Sequence, residues 1–122
     1  MVQLLTQEQG TMEMDNTWSV FIQTKVNSFT KWDLLHFFHD NPHAQDSAEN
    51  IASFIGKETS SVRHALEDLC RTAILECDTR SGEVIYRLTT RKEVHQTVND
   101  FIKACHNREF RAKAIYTVLK SK

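Results

Sequence analysis

Apolar residues recur at helical spacing along most of this chain and alternate with polar ones in only two short stretches. From Asp15 or Asn16, either of which can cap a helix, Trp18, Phe21, Ile22, Val26 and Phe29 predict a helix ending near Asn27. Thr30 is placed to cap a second helix, whose Trp32, Leu34, Leu35, Phe37 and Phe38 form a wide apolar face before Asn41 and Pro42 stop it. Asp46 or Ser47 then caps a short helix with Ile51, Ala52 and Ile55 inward, and Gly56 offers the left-handed conformation that a sharp turn needs. Past Lys57 and Glu58, Thr59 or Ser60 can cap a helix reaching about Thr72, whose Val62, Ala65, Leu66 and Leu69 point one stripe back at its predecessor.

The period then changes. Ile74-Leu75-Glu76-Cys77-Asp78 and Val84-Ile85-Tyr86-Arg87-Leu88 read as two strands, joined through residues 79–83 by a hairpin loop containing Gly82. After Thr90 helical spacing returns in Val94, Val98, Phe101, Ile102 and Cys105, and again in Phe110, Ala114, Ile115, Val118 and Leu119, giving one bent helix or two separated at His106-Asn107. The predicted fold class is mostly α with a small β-hairpin. Residues 1–14 are polar with scattered Leu and Met and are expected to be a flexible segment, although Val2, Leu4 and Leu5 could pack on a partner subunit. Residues 15–122 are expected to form a single domain with its core in 30–90 and a helical extension over 91–120.

Composition narrows this picture. With 122 residues, 40% of them hydrophobic, the chain can bury one core without staples. No run approaches the roughly 18 apolar residues of a membrane span, and the first residues lack the basic region and apolar block of a signal peptide, so the expected compartment is the cytoplasm. Cys70, Cys77 and Cys105 are odd in number and form no CxxC pair, which argues against a disulfide framework or a zinc ribbon. The net charge is −1, unevenly spread: residues 1–61 hold three Lys+Arg against eight Asp+Glu, and residues 62–122 hold twelve against eight. A basic C-terminal half suits an anionic partner, or a contact between the two halves.

Ala52, Ile55-Gly56, Val62, Leu66, Leu69, Ile74-Leu75 and Tyr86-Arg87-Leu88-Thr89 together resemble the skeleton of the winged helix-turn-helix superfamily, over about residues 30 to 90. The flanking helices are similar to those of ArsR-like and MarR-like bacterial regulators, and that resemblance implies a homodimer held by helices at both ends of the chain. Trp18, Phe21, Val94, Val98, Phe101, Ile102, Ile115 and Leu119 are the candidates for that interface. One departure is Ala73, which stands where many such proteins have Gly between the recognition helix and the first wing strand.

The resemblance implies sequence-specific binding of double-stranded DNA by a transcriptional regulator, with the helix from Thr59 to Thr72 in the major groove. Its outward residues would be Thr59, Ser60, Ser61, Arg63, His64, Glu67, Asp68 and Arg71. The hydroxyls suit phosphate or base edges, and Arg63 suits guanine O6 and N7. Lys57 before the helix and Arg80 at the wing tip are expected phosphate or minor-groove contacts, with Arg87 and Arg91 as additions. Glu58, Glu67 and Asp68 oppose this reading, and the rival is a winged helix that binds protein instead.

Other chemistry is weaker. His36 and His39 share helical spacing, but Pro42 separates His43 from them, so neither a metal nor another cofactor is expected. Cys70, Cys77 and Cys105 read as small core residues. There is no phosphate-cradling glycine loop and no GxSxG, so an enzyme is not expected. The aromatic group Trp18, Phe21, Trp32, Phe37 and Phe38 could line a pocket for a small effector, although aromatics at this spacing more often form core.

Overall fold

A computed structural model describes residues 15–121 of the chain, so Val2, Leu4 and Leu5 lie outside the described residues. Asp15 caps the first helix, α1 (Asn16–Lys25), by accepting the Thr17 amide at 2.9 Å. The second, α2 (Phe29–Asp40), begins earlier than expected, because Ser28 and not Thr30 takes the cap and accepts the Lys31 amide at 3.2 Å. Phe29 therefore belongs to α2, and Thr30 lies inside the helix.

A two-residue strand, β1 (Gln45–Asp46), follows the turn at Pro42 and was not expected. Ser47 caps α3 (Ala48–Ile55), and Gly56 ends it in the left-handed region at φ 74°. The next helix, α4 (Thr59–Arg71), has Glu58 at its cap position with no side-chain bond to the first turn, so neither Thr59 nor Ser60 serves as the cap. It ends in a Schellman closure: the Ala73 amide donates to the Cys70 carbonyl at 3.1 Å and the Ile74 amide to the Leu69 carbonyl at 3.0 Å. Ala73 accordingly sits at φ 68°, where glycine is usual.

The hairpin is longer and tighter than the alternation predicts. Strands β2 (Leu75–Arg80) and β3 (Glu83–Leu88) are joined by Ser81-Gly82 alone, both at positive φ, as a two-residue hairpin turn requires. The sheet order is β1-β3-β2, with β3 antiparallel to both neighbours. The chain finishes with α5 (Lys92–Ala104) and α6 (Arg108–Lys120), separated at Asn107, which caps α6 through the Phe110 amide at 2.9 Å. No described helix is long and apolar enough to cross a membrane.

Leu34, Phe38, Ile51, Val62, Leu66, Leu69 and Ile74 are fully buried and join α2, α3, α4 and the sheet. The core continues into the terminal helices around Phe101, which is 0% exposed and has the rings of Trp18, Phe21, Trp32 and Phe110 between 5.3 and 6.1 Å away. This corrects most of the expected subunit interface. Phe21, Val98, Phe101 and Ile102 are buried within the chain itself, and Trp18 and Val94 are partly buried against the same core, because α2 packs on α5, α1 packs on α6, and rings from α1 and α6 close on Phe101. Of the eight residues, Ile115 at 37% and Leu119 at 57% exposure stay open to a second copy.

Candidate nucleic-acid interface

The turn at Gly56 sets α3 and α4 side by side, and the β2–β3 hairpin stands beside them through the Schellman closure at Ala73. In the first turn of α4, Thr59 is half-buried while Ser60 and Ser61 are exposed, and the Ser60 hydroxyl donates to the Glu58 carboxylate at 2.8 Å. The exposed side of this turn borders an open groove of about 460 Å³, shared with Ser28, Thr30 and Lys31 of α2 and with His64 and Asp68 further along α4. His64 is exposed there.

Every cation expected at the interface is matched to a carboxylate of the same chain. Lys57 Nζ lies 3.2 Å from Asp33 Oδ2, and Arg63 Nη2 donates to Glu49 Oε2 at 3.0 Å. Arg71 pairs with Asp68. At the hairpin, Arg80 Nε meets Asp78 Oδ1 at 3.1 Å and its Nη2 donates to Gln45 Oε1 at 2.8 Å, while Arg87 reaches Asp78 at 2.9 Å and Glu76 at 3.4 Å. Arg91 pairs with Glu93 at 3.2 Å. Arg63 in particular lines a cleft of about 200 Å³ between α4 and the hairpin tip, where Glu49, Glu67 and Glu83 also lie. The expected cations are thus spread over α4, the turn before it and the hairpin, with their positive charge largely cancelled. Arg87 stands with Glu76 and Asp78 on the sheet face opposite the one that carries the buried Leu75 and Tyr86 and meets α4.

One acidic residue departs from its expected role, and another takes a role not expected from the sequence. Asp68, expected outward, turns towards α2 and meets the Lys31 ammonium at 3.0 Å. Glu76 collects the Thr90 amide at 2.8 Å, the Thr90 hydroxyl at 3.0 Å and the Thr89 hydroxyl at 3.2 Å, and so ties the exit of β3 to β2. The backbone bond from Thr90 is the main reason its carboxyl is held below the usual glutamate value. Asp78 is lowered as well, chiefly by the hydrogen bond from Arg87. Helical spacing could not reveal Glu76, since its partners arrive from a segment fourteen residues away in sequence.

Cys77, expected in the core, is exposed on β2. His36 donates from Nδ1 to the Trp32 carbonyl at 2.9 Å, and His39 lies 3.4 Å from Asp40. The chain matches no protein-family model, no curated protein and no solved structure.

Proposed function

We propose that this chain is a winged helix-turn-helix protein of the transcription-regulator type, working in the cytoplasm as a homodimer on double-stranded DNA. In this reading α4 enters the major groove and the β2–β3 hairpin is the wing. The observation that carries it is the α3–Gly56–α4 turn set beside a three-stranded sheet. The first turn of α4 presents the exposed Ser60 and Ser61 and backbone amides that no side chain caps. Such amides and hydroxyls suit phosphate oxygens or base edges.

Pairing of Lys57, Arg63, Arg80 and Arg87 sets the energetics. Each must exchange a carboxylate for a phosphate, so general attraction to DNA is weak and base contacts must supply most of the discrimination. The test is fluorescence anisotropy with a random-sequence duplex pool across a salt series, followed by selection of tight binders from that pool. The expected result is weak, salt-dependent binding of the pool and a selected sequence bound at least tenfold more tightly. Arg63→Ala and Arg80→Ala should then weaken binding through the helix and the wing respectively. Absence of binding at low salt, with no sequence enriched, overturns the reading.

One observation favours a second reading, a protein-binding winged helix: the carboxylates of Glu49, Glu67 and Glu83 outnumber the single guanidinium of Arg63 in the cleft beside α4. Like charge there repels phosphate and suits a basic protein segment.

A further inference from the structure

Cys70 lies in the last turn of α4 and Cys77 in the middle of β2, and both line one open hollow of about 340 Å³ with Ala73, Leu75 and Arg91. The Schellman closure at Ala73 brings this about, because it turns β2 back against the end of α4 within a few residues. In the strand, Cys77 shares a face with the buried Leu75 and pairs with the buried Tyr86, so its side chain lies on the side of the sheet that meets α4. The two thiols share this hollow and lie near enough for Cys77 to act on the ionisation of Cys70. Cys77 is exposed, Cys70 is half-buried, and Cys105 is buried elsewhere in the core.

We propose that Cys70 and Cys77 form a peroxide-oxidisable dithiol that closes to an intrachain disulfide, fastening the end of α4 to β2. The division of labour follows from exposure. Desolvation by burial, then the influence of Cys77 beside it, push the Cys70 thiol up to about 12, so it stays protonated and does not attack peroxide. Cys77 attacks as its thiolate: an electron pair on Sγ takes one peroxide oxygen as OH, the O–O bond breaks, and hydroxide leaves and takes up the proton the thiol had released to solvent, giving the sulfenic acid and water. The Cys70 sulfur then attacks Cys77 Sγ, the S–O bond breaks, and hydroxide departs with the Cys70 proton as water. Two thiols lose two electrons to one peroxide, and a dithiol reductant restores them. This chemistry stands whether or not the chain binds DNA.

The test uses the full reduced chain, treated with equimolar hydrogen peroxide, quenched with an alkylating agent and read by intact-mass and peptide mass spectrometry. Titratable thiols should fall from three to one, with loss of the mass of two hydrogens per chain and a peptide linking residues 70 and 77, all reversed by dithiothreitol. Cys70→Ser should leave Cys77 as sulfenic or sulfinic acid with no cross-link, and Cys77→Ser should slow thiol loss at least tenfold. The proposal is overturned if the unaltered chain keeps three thiols, forms chains joined to each other, or carries Cys77 to sulfinic acid while Cys70 remains a thiol.

Discussion

The Lys31 ammonium lies 3.0 Å from the Asp68 carboxylate, joining the first turn of α2 to the far end of α4. Lys31 is 9% exposed and donates to Asn27 Oδ1 at 2.9 Å as well. Burial, and then the nearby charge of Arg71, lower its pKa, so folding does not favour its charged form. The two ends of the pair should therefore respond unequally to mutation. Lys31→Met, which keeps the stem and leaves Asp68 with Arg71, should change the unfolding free energy by less than about 1 kcal/mol. Asp68→Ala, which strands a desolvated ammonium beside a guanidinium, should cost about 2–3 kcal/mol. Urea denaturation of both variants checks this, and equal losses would mean the pair itself is stabilising.

Arg63 is held by Glu49, so Glu49→Gln releases it without touching α4. If α4 reads DNA, this change should raise affinity for a selected duplex several-fold at low salt. It should also steepen the slope of log affinity against log salt by about 0.9, the value for one added phosphate contact. An unchanged slope would show that Arg63 makes no such contact.

Ala73 at φ 68° holds a conformation that costs an L-residue roughly 1–2 kcal/mol, more than the roughly 0.5–1 kcal/mol of extra unfolded-state freedom that glycine carries. Ala73→Gly should raise stability by about 0.5–1 kcal/mol in thermal or chemical unfolding. A loss of stability would show that the alanine methyl makes a packing contribution larger than the strain.

Glu76 gives the β2–β3 hairpin an acid-sensitive root. Its folded pKa lies below its unfolded value of about 4.3, so its contribution is complete above that value and is lost as the pH falls through the folded value. Stability measured from pH 6 to pH 2.5 should fall less steeply in Glu76→Gln than in the parent. Equal slopes would assign the acid loss to other carboxylates.

Phe101→Ala should cost about 3–5 kcal/mol, since four aromatic rings close around the vacated space. The loss should be the same at low and high protein concentration, because the ring packs within one chain. A concentration-dependent loss would return Phe101 to a subunit interface.

Much of the helical framework can be read from periodicity, because buried stripes repeat every three or four residues, including a break or bend near Asn107, and the glycine at 56 marks the left-handed turn. Helix starts were less legible. Ser28 and Thr30 are both competent caps, and the structure uses Ser28, which leaves Phe29 to begin α2. Thr59 and Ser60 failed as caps because Glu58 occupies that place without bonding the helix. Strand β1 has two polar residues and no alternation, and it exists only because β3 offers it an edge. For the candidate interface, residue types and their order were legible, but the pairing of each cation was not. Glu49 meets Arg63 across fourteen residues, and Gln45 meets Arg80 across thirty-five.

That last contact turns the shortest strand into a mechanical part. Gln45 is paired to Arg87 through the ladder and to Arg80 by its side chain, and Ser47, two residues on, starts α3. The hairpin is therefore braced at two points to the segment that launches α3. The hairpin tip and the start of α3 are thus coupled through one short segment, since Gln45 holds Arg80 and Arg87 while Ser47 opens the helix.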